Sequence, residues 1–311
     1  MSAILQASAP GSLMLMGEHA VLYGRRALVA AVHRRIRVRL QPRADGRVRI
    51  ASALGAIEMP RGRLKTRAPF RFVLAALRRY EDRVPSGFDL RIESDFPHDV
   101  GLGSSAAVTV ATCAVMERWT RSRRTRPWDL FLASREIIRE VQGLGSGADV
   151  AASVFGGILS YRAQPARIQR LKRTIPLVVL YSGGKTPTVE VVRRVARTMK
   201  TQPTMFNAVF DLMDKAGAAG FQAIRAGALK KLGEIFNIQQ GLMEALGVSN
   251  ARLAELVYAL RAARGILGSK ISGSGLGDCV IGLGRSARTD WPGRRIEAEI
   301  SPRGVLVTGG A

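Results

Sequence analysis

Apolar and polar positions alternate strictly in Arg35–Leu40 and again in Phe88–Glu93. Each pattern predicts a strand with one wet face. Between them, Ala68–Tyr80 carries Phe70, Val73, Leu74, Leu77 and Tyr80 at helical spacing. Ser104–Trp119 reads as a long apolar helix and Trp128–Gln142 as another, and Gly157–Tyr161 reads as a strand. Ile175–Tyr181 has the continuous apolar character of a buried strand and leads through Gly183-Gly184 to a helix from about Thr188. Helical spacing runs through roughly Met205–Gly265. Strands are expected again at Lys270-Ile271, Cys279–Leu283 and Ile296–Ile300. This order predicts an α+β protein of two lobes, divided near residues 160–175 and sharing an interface. The expected lobes are 1–165 and 166–311.

Composition narrows the class. With 311 residues, 47% apolar and 23% charged, the chain can bury a core, which excludes a disordered or fibrous protein. The longest apolar stretch lies near Ala106–Met116, far short of the roughly 20 residues of a membrane helix. The start, Met1–Gln6, has none of the pattern of a secretory signal. Two distant cysteines, Cys113 and Cys279, form no disulfide framework or zinc spacing, so a reducing cytoplasm is expected and no membrane partner. The formal charge of +24 is carried mainly by arginine. It fits a nucleic-acid binder or an enzyme with an anionic substrate. The arginines are scattered, and the denser runs Arg61–Arg71 and Arg118–Arg126 lack interleaved aromatics, so no specific nucleic-acid partner is expected.

Three glycine-rich segments and one acid carry the candidate chemistry. Ala9–Gly24 reads as a turn, a short apolar strand and a polar Glu18-His19 pair before a second turn. Such a pair either lines a cleft or is buried and hydrogen-bonded. Pro97–Ala107 places Gly101, Leu102, Gly103, Ser104 and Ser105 directly before the long helix. A glycine loop feeding a helix start is an anion site, because free amides and the positive helix end face the anion. Its spacing is neither a Walker loop nor a dinucleotide fingerprint. Read plainly, it is a serine helix cap. Lys270–Cys279 contains Gly273, Gly275 and Gly277 at period two. Asp149 follows the Gly143–Gly147 run and opens an apolar helix, whose dipole is expected to favour the anion. A carboxylate beside a phosphate site can orient or deprotonate an attacking hydroxyl.

Taken in order, these segments resemble the GHMP kinase superfamily over nearly the whole chain. Gly17–Gly24 is most similar to mevalonate kinases, whereas Gly277-Asp278-Cys279 and Gly145–Ala152 are closer to phosphomevalonate kinases. The resemblance implies a ribosomal-S5-like N-terminal lobe, a ferredoxin-like C-terminal lobe and a cleft between them. It implies ATP-dependent phosphorylation of mevalonate to 5-phosphomevalonate in isoprenoid precursor biosynthesis. The alternatives are phosphomevalonate or another small acceptor, or a silent binder with this fold. It places ATP phosphates on Gly101–Ser105 with Gly273 and Gly275 nearby, Mg2+ on Ser105, the substrate hydroxyl on Asp149, and mevalonate against Glu18 and His19. A homodimer is implied by analogy. Three positions depart from the family pattern. Ser12 stands where mevalonate kinases carry a lysine, with Lys185 a candidate stand-in. Ile138 stands at the place of the metal-binding Glu, and Asp99 at a usual Gly. Glu136 and Glu140 flank Ile138, but each is turned about 200° from it on a helix.

Overall fold

The computed structural model describes residues 4–120, 125–171 and 173–309. Residues 1–3, 121–124, 172, 310 and 311 lie outside it, and with them the start of the chain and the middle of the Arg118–Arg126 run.

The first half builds one sheet and the helices that cover it. Strand β1 (Leu5–Met16) continues straight through Ala9-Pro10-Gly11, where a turn was expected; a register shift between Pro10 and Gly11 absorbs the irregularity. Strand β2 (Ala27–Arg43) is much longer than its alternating part, because its first residues are buried on both faces and show no period of two. It pairs with β1 along most of its length. Strands β3 (Arg47–Ser52) and β4 (Gly55–Pro60) form a hairpin. Helix α1 (Arg71–Arg78) follows, then β5 (Gly87–Ser94), which pairs with the second half of β2 and runs parallel to β3. Helices α2 (Ser104–Thr120), α3 (Pro127–Gln142) and α4 (Ala148–Phe155) come next. α2 and α4 lie on β1 and β2, while α1 and α3 pack on α2. α2 is apolar on nearly every side, as a helix enclosed by neighbours must be. Its Thr109 and Thr112 are tolerated there because each hydroxyl donates to the carbonyl four residues back.

Strands β6 (Ile158–Ala163) and β7 (Ala166–Leu171) form a hairpin on the first residues of β2. Residues 164 and 165 are the turn of this hairpin, so the chain is still within the first sheet there. The change of sheet comes between Leu171 and Leu177. The second sheet is antiparallel, in the order β11 (Arg294–Ile296), β8 (Leu177–Tyr181), β10 (Cys279–Gly284), β9 (Ile266–Ser272). Helices α5 (Thr188–Thr201), α6 (Pro203–Ala226), α7 (Leu229–Ala245) and α8 (Ala251–Arg261) accompany it, with α7 and α8 against β9. The strand expected over Ile296–Ile300 is shorter: β11 ends at Ile296, and Ile300 makes an isolated bridge to Val32. A last strand, β12 (Leu306–Thr308), returns to pair with β1.

The two sheets meet along specific contacts. Tyr23 stacks on Phe210 of α6 with ring centroids 4.6 Å apart. Asp214 of α6 receives the Arg26 amide and pairs with Arg162. Among the described residues no helix is long and apolar enough to cross a membrane.

Candidate active site

The cleft lies where β1, the start of α2, the start of α4 and the second sheet's loops converge. Its walls include Ser12, Gly101, Gly103, Ser105, Asp149 and Asp278. Of the other expected site residues, Glu18, His19, Ser104 and Gly273 also reach it. Leu102 and Gly275 do not. The Leu102 side chain is buried in the core, and its carbonyl accepts the Ser12 amide at 3.0 Å. Gly275 packs against the Val248 carbonyl, which receives the next amide, that of Leu276. Both anchor loops whose neighbours face the cleft.

The Gly101–Ser105 loop is held from several sides. Val100 and Leu102 point into the core, the Cys279 thiol donates to the Val100 carbonyl, and the Ser104 hydroxyl donates to the His98 carbonyl at 2.8 Å. Ser104 therefore ties the loop together instead of capping α2. Gly101 and Gly103 adopt φ of 72° and 65°. A Cβ on Gly103 would lie 2.2 Å from Ser12 Oγ, and one on Gly101 2.8 Å from Asp278 Cβ, so only glycine admits this close approach. The first-turn amides of α2, which no helical carbonyl accepts, belong to Ser104, Ser105 and Ala106, and these residues line the cleft.

Asp149 is the second residue of α4, whose start is shaped by the glycine run. Tyr161 donates to the Ser146 carbonyl and Arg139 to that of Gly145, fixing the approach. The Ser12 hydroxyl donates to Asp149 Oδ1 at 2.8 Å. Burial raises the Asp149 pKa, against the lowering effects of the Ser12 hydrogen bond and of Lys185. The helix dipole was expected to favour the anion, but desolvation outweighs the stabilising contributions.

The polar pair after β1 divides. Glu18 is completely buried and pairs with the equally buried Lys270 of β9 at 2.5 Å, with Gln239 donating to its other oxygen. Burial raises the Glu18 pKa and lowers that of Lys270, each opposed by the partner's charge. This carboxylate is engaged in joining the sheets. His19, held at a φ of 60°, donates from Nε2 to the Ser274 carbonyl at 2.8 Å. Burial lowers its pKa, so the ring is neutral at pH 7 with Nδ1 as an acceptor.

The family departures now have structural consequences. Ile138 presents an apolar side chain to the cleft, while Glu136 and Glu140 pair with Arg79 and Arg78 on the outer side of α3. Asp99 is exposed and is not among the residues lining the cleft. Lys185 does reach the cleft, with Nζ 3.9 Å from Asp278 Oδ1. Asp278 is the residue that the sequence reading passed over as a site member. It adopts a φ of 63° and is only 4% exposed, and its pKa is pushed up to about 6 by burial and by Asp149, with Lys185 opposing. A charged residue inside a glycine run was the available signal.

The family profile described as GHMP kinases N terminal domain matches residues 71–157, and GHMP kinases C terminal matches 221–290. A mevalonate kinase of Archaeoglobus fulgidus is 36% identical over 278 residues, spanning 89% of this chain and 91% of its own. One from Methanothermobacter thermautotrophicus is 31% identical, spanning 96% and 99%. The solved structure of Methanococcus jannaschii mevalonate kinase superposes with a TM-score of 0.77 at 22% identity, covering 90% of both chains. The Archaeoglobus and Methanothermobacter relatives are more than 30% identical over most of both chains, and the chain belongs to the mevalonate kinase family of the GHMP kinases.

Proposed function

We propose that this chain transfers the terminal phosphoryl group of ATP to the primary hydroxyl of mevalonate, giving 5-phosphomevalonate and ADP. The observation that carries the reading is the Asp149 carboxylate, held by Ser12 beside a glycine loop that opens a helix. The nucleotide's phosphate oxygens lie against the amides of Gly101–Ser105, where the helix end offsets their charge. Ser12 occupies Asp149 Oδ1 and leaves Oδ2 for the acceptor hydroxyl. As that oxygen bonds to the γ-phosphorus, the bond to the bridging oxygen of ADP breaks and Asp149 takes the hydroxyl proton. A desolvated carboxylate is a better proton acceptor than a solvated one, because its raised pKa reflects a poorly stabilised anion. Lys185 supplies the positive charge that Ser12 lacks. His19, neutral and fixed by Ser274, offers Nδ1 as an acceptor to the substrate.

Mg2+ fits these residues. Among the described residues no three His, Cys, Asp or Glu side chains cluster as a metal cage. That suits an ion bound by one or two carboxylates and substrate phosphates. Ser105, which lines the cleft, would hold it, and it would neutralise charge on the transferring phosphoryl group. Lys185 is the sole Lys or Arg lining the cleft among the described residues, which favours mevalonate over a substrate carrying its own phosphate. The two unpaired, buried cysteines accord with a cytoplasmic enzyme.

The test is ADP release with Mg-ATP and mevalonate, phosphomevalonate, homoserine or galactose in turn. Turnover is expected on mevalonate, falling about 10²- to 10⁴-fold in Asp149→Asn while ADP still binds. Turnover confined to phosphomevalonate, or undiminished in the variant, would overturn the reading.

A further inference from the structure

The Asp278 carboxylate has no structural use that explains it. Among the described residues its buried Oδ1 has no hydrogen-bond partner, and the ion pair with Lys185 Nζ, at 3.9 Å, is too long for a hydrogen bond. A buried carboxylate left this way destabilises the fold. The backbone adds to the cost, since φ of 63° suits glycine best, and the neighbours Gly273, Gly275 and Gly277 are glycines. Retaining an acid here at the expense of stability points to a ligand.

Its position says which ligand. Oδ1 lies 3.0 Å from the point a Cβ on Gly101 would occupy, and Oδ2 lies 3.4 Å from that point on Gly273. The Asp149 Cβ lies 3.6 Å from the corresponding point on Gly103. The two carboxylates therefore stand beside alternate residues of one phosphate loop, close enough for Asp149 to raise the Asp278 pKa. An anionic phosphate alone would be repelled by both. A divalent cation shared with the phosphates would be attracted by both charges, and Asp278, which the acceptor does not engage, offers it a hard oxygen ligand. Ile138, which also lines the cleft, has no ligating atom.

We propose that Asp278 is a ligand of the nucleotide-bound divalent cation in this chain, supplying the carboxylate that position 138 lacks. The inference rests on the phosphoryl-transfer reading above.

The experiment uses the full chain and Mn2+, whose binding is read directly by the loss of the free-ion electron paramagnetic resonance signal. Calorimetry first measures ADP binding in chelator. Mn2+ is then titrated into the protein–ADP complex, with ADP alone as the baseline. Asp278→Asn keeps the shape, and Asn tolerates this φ well. Asp278→Gly relaxes the backbone entirely and serves as the second variant. In both, metal-free ADP affinity is expected to stay within about twofold or to rise, while Mn2+ affinity of the complex falls at least about tenfold. Mn2+ affinity unchanged in both variants, with ADP bound normally, overturns the inference and leaves the kinase reading intact. Loss of metal-free ADP binding in both overturns it too, by assigning Asp278 to the loop and not to the metal. If the wild-type chain binds no ADP, both readings fall together.

Discussion

Asp278 and Asp149 show how the same residue type is tuned by its surroundings. Asp149 has a hydroxyl donor on Oδ1, whereas Asp278 has none on its own. Lys185 and Asp149 are the charged groups bearing on Asp278, one of each sign. With a folded-state pKa of about 6 against an ordinary carboxylate near 3.8, the folded protein binds the extra proton between those pH values. Stability of the metal-free protein therefore falls as pH rises through that window, by up to ~3 kcal/mol, and stays low above it. Asp278→Asn should abolish this contribution, so that in chelator the variant is the more stable at pH 7 and the difference closes near pH 4. Urea midpoints for both proteins across pH 4–8 check it. A wild type that is the more stable at neutral pH would show that the carboxylate has a partner after all.

At the scale of elements, the helices differ in how firmly they are attached. α2 is enclosed by β1, β2 and the neighbouring helices, and its buried residues run along most of its length. α5 buries only Val191 and Val195, and turns Arg193, Arg194, Arg197 and Lys200 outward. Its packing is limited chiefly to α6, although Thr188 and Val192 line the cleft. Few buried apolar contacts mean a low free energy of local opening. Hydrogen exchange of the α5 amides is expected to be faster than that of α2 by at least about a hundredfold. Saturation with ADP and mevalonate should slow the first turn of α5 more than its last. Equal protection of α2 and α5 without ligand would refute this difference. The legibility of these helices in the sequence was uneven for the same reason. α2 was recognised by its long apolar run near Ala106–Met116, interrupted by Thr109 and Thr112. The β3–β4 hairpin and β7 were missed because each strand is only six residues long, and the clear alternation of β3 stops after Arg47–Ile50.

At the scale of the molecule, the sheets are joined by a buried charge pair and by the returning chain end. Glu18 follows β1 and Lys270 lies in β9, and each side chain is at most 1% exposed. The Lys270 ammonium also donates to the Ile271 carbonyl, and Ser272 donates to the Met14 carbonyl nearby. Removing one member leaves the other buried and uncompensated, at a cost of about 3–5 kcal/mol. Lys270→Met should lower the urea midpoint accordingly, and adding Glu18→Gln should restore part of the loss. Full additivity of the two changes would show that the charges do not act as a pair. Because β12 closes the first sheet after the chain has built the second, the two sheets are expected to unfold together in one transition.

The sequence by itself determined the local features: the long apolar helix, the alternating strands, the glycine loop that opens α2 and the acid that opens α4. Periodicity and loop chemistry act over a few residues, so they can be read without the fold. The family followed from the order of those loops. Tertiary structure alone decided what each polar group does. Ser12 meets Asp149 across 137 residues, and Glu18 meets Lys270 across 252. Those meetings set which carboxylate is paired inside the core and which ones face the cleft. Leu102 and Gly275 proved to be anchors, and Asp278 entered the site, because burial and distance to other charges are properties of the packed chain. Desolvation sums over everything that surrounds a group, and no short stretch of sequence contains that sum.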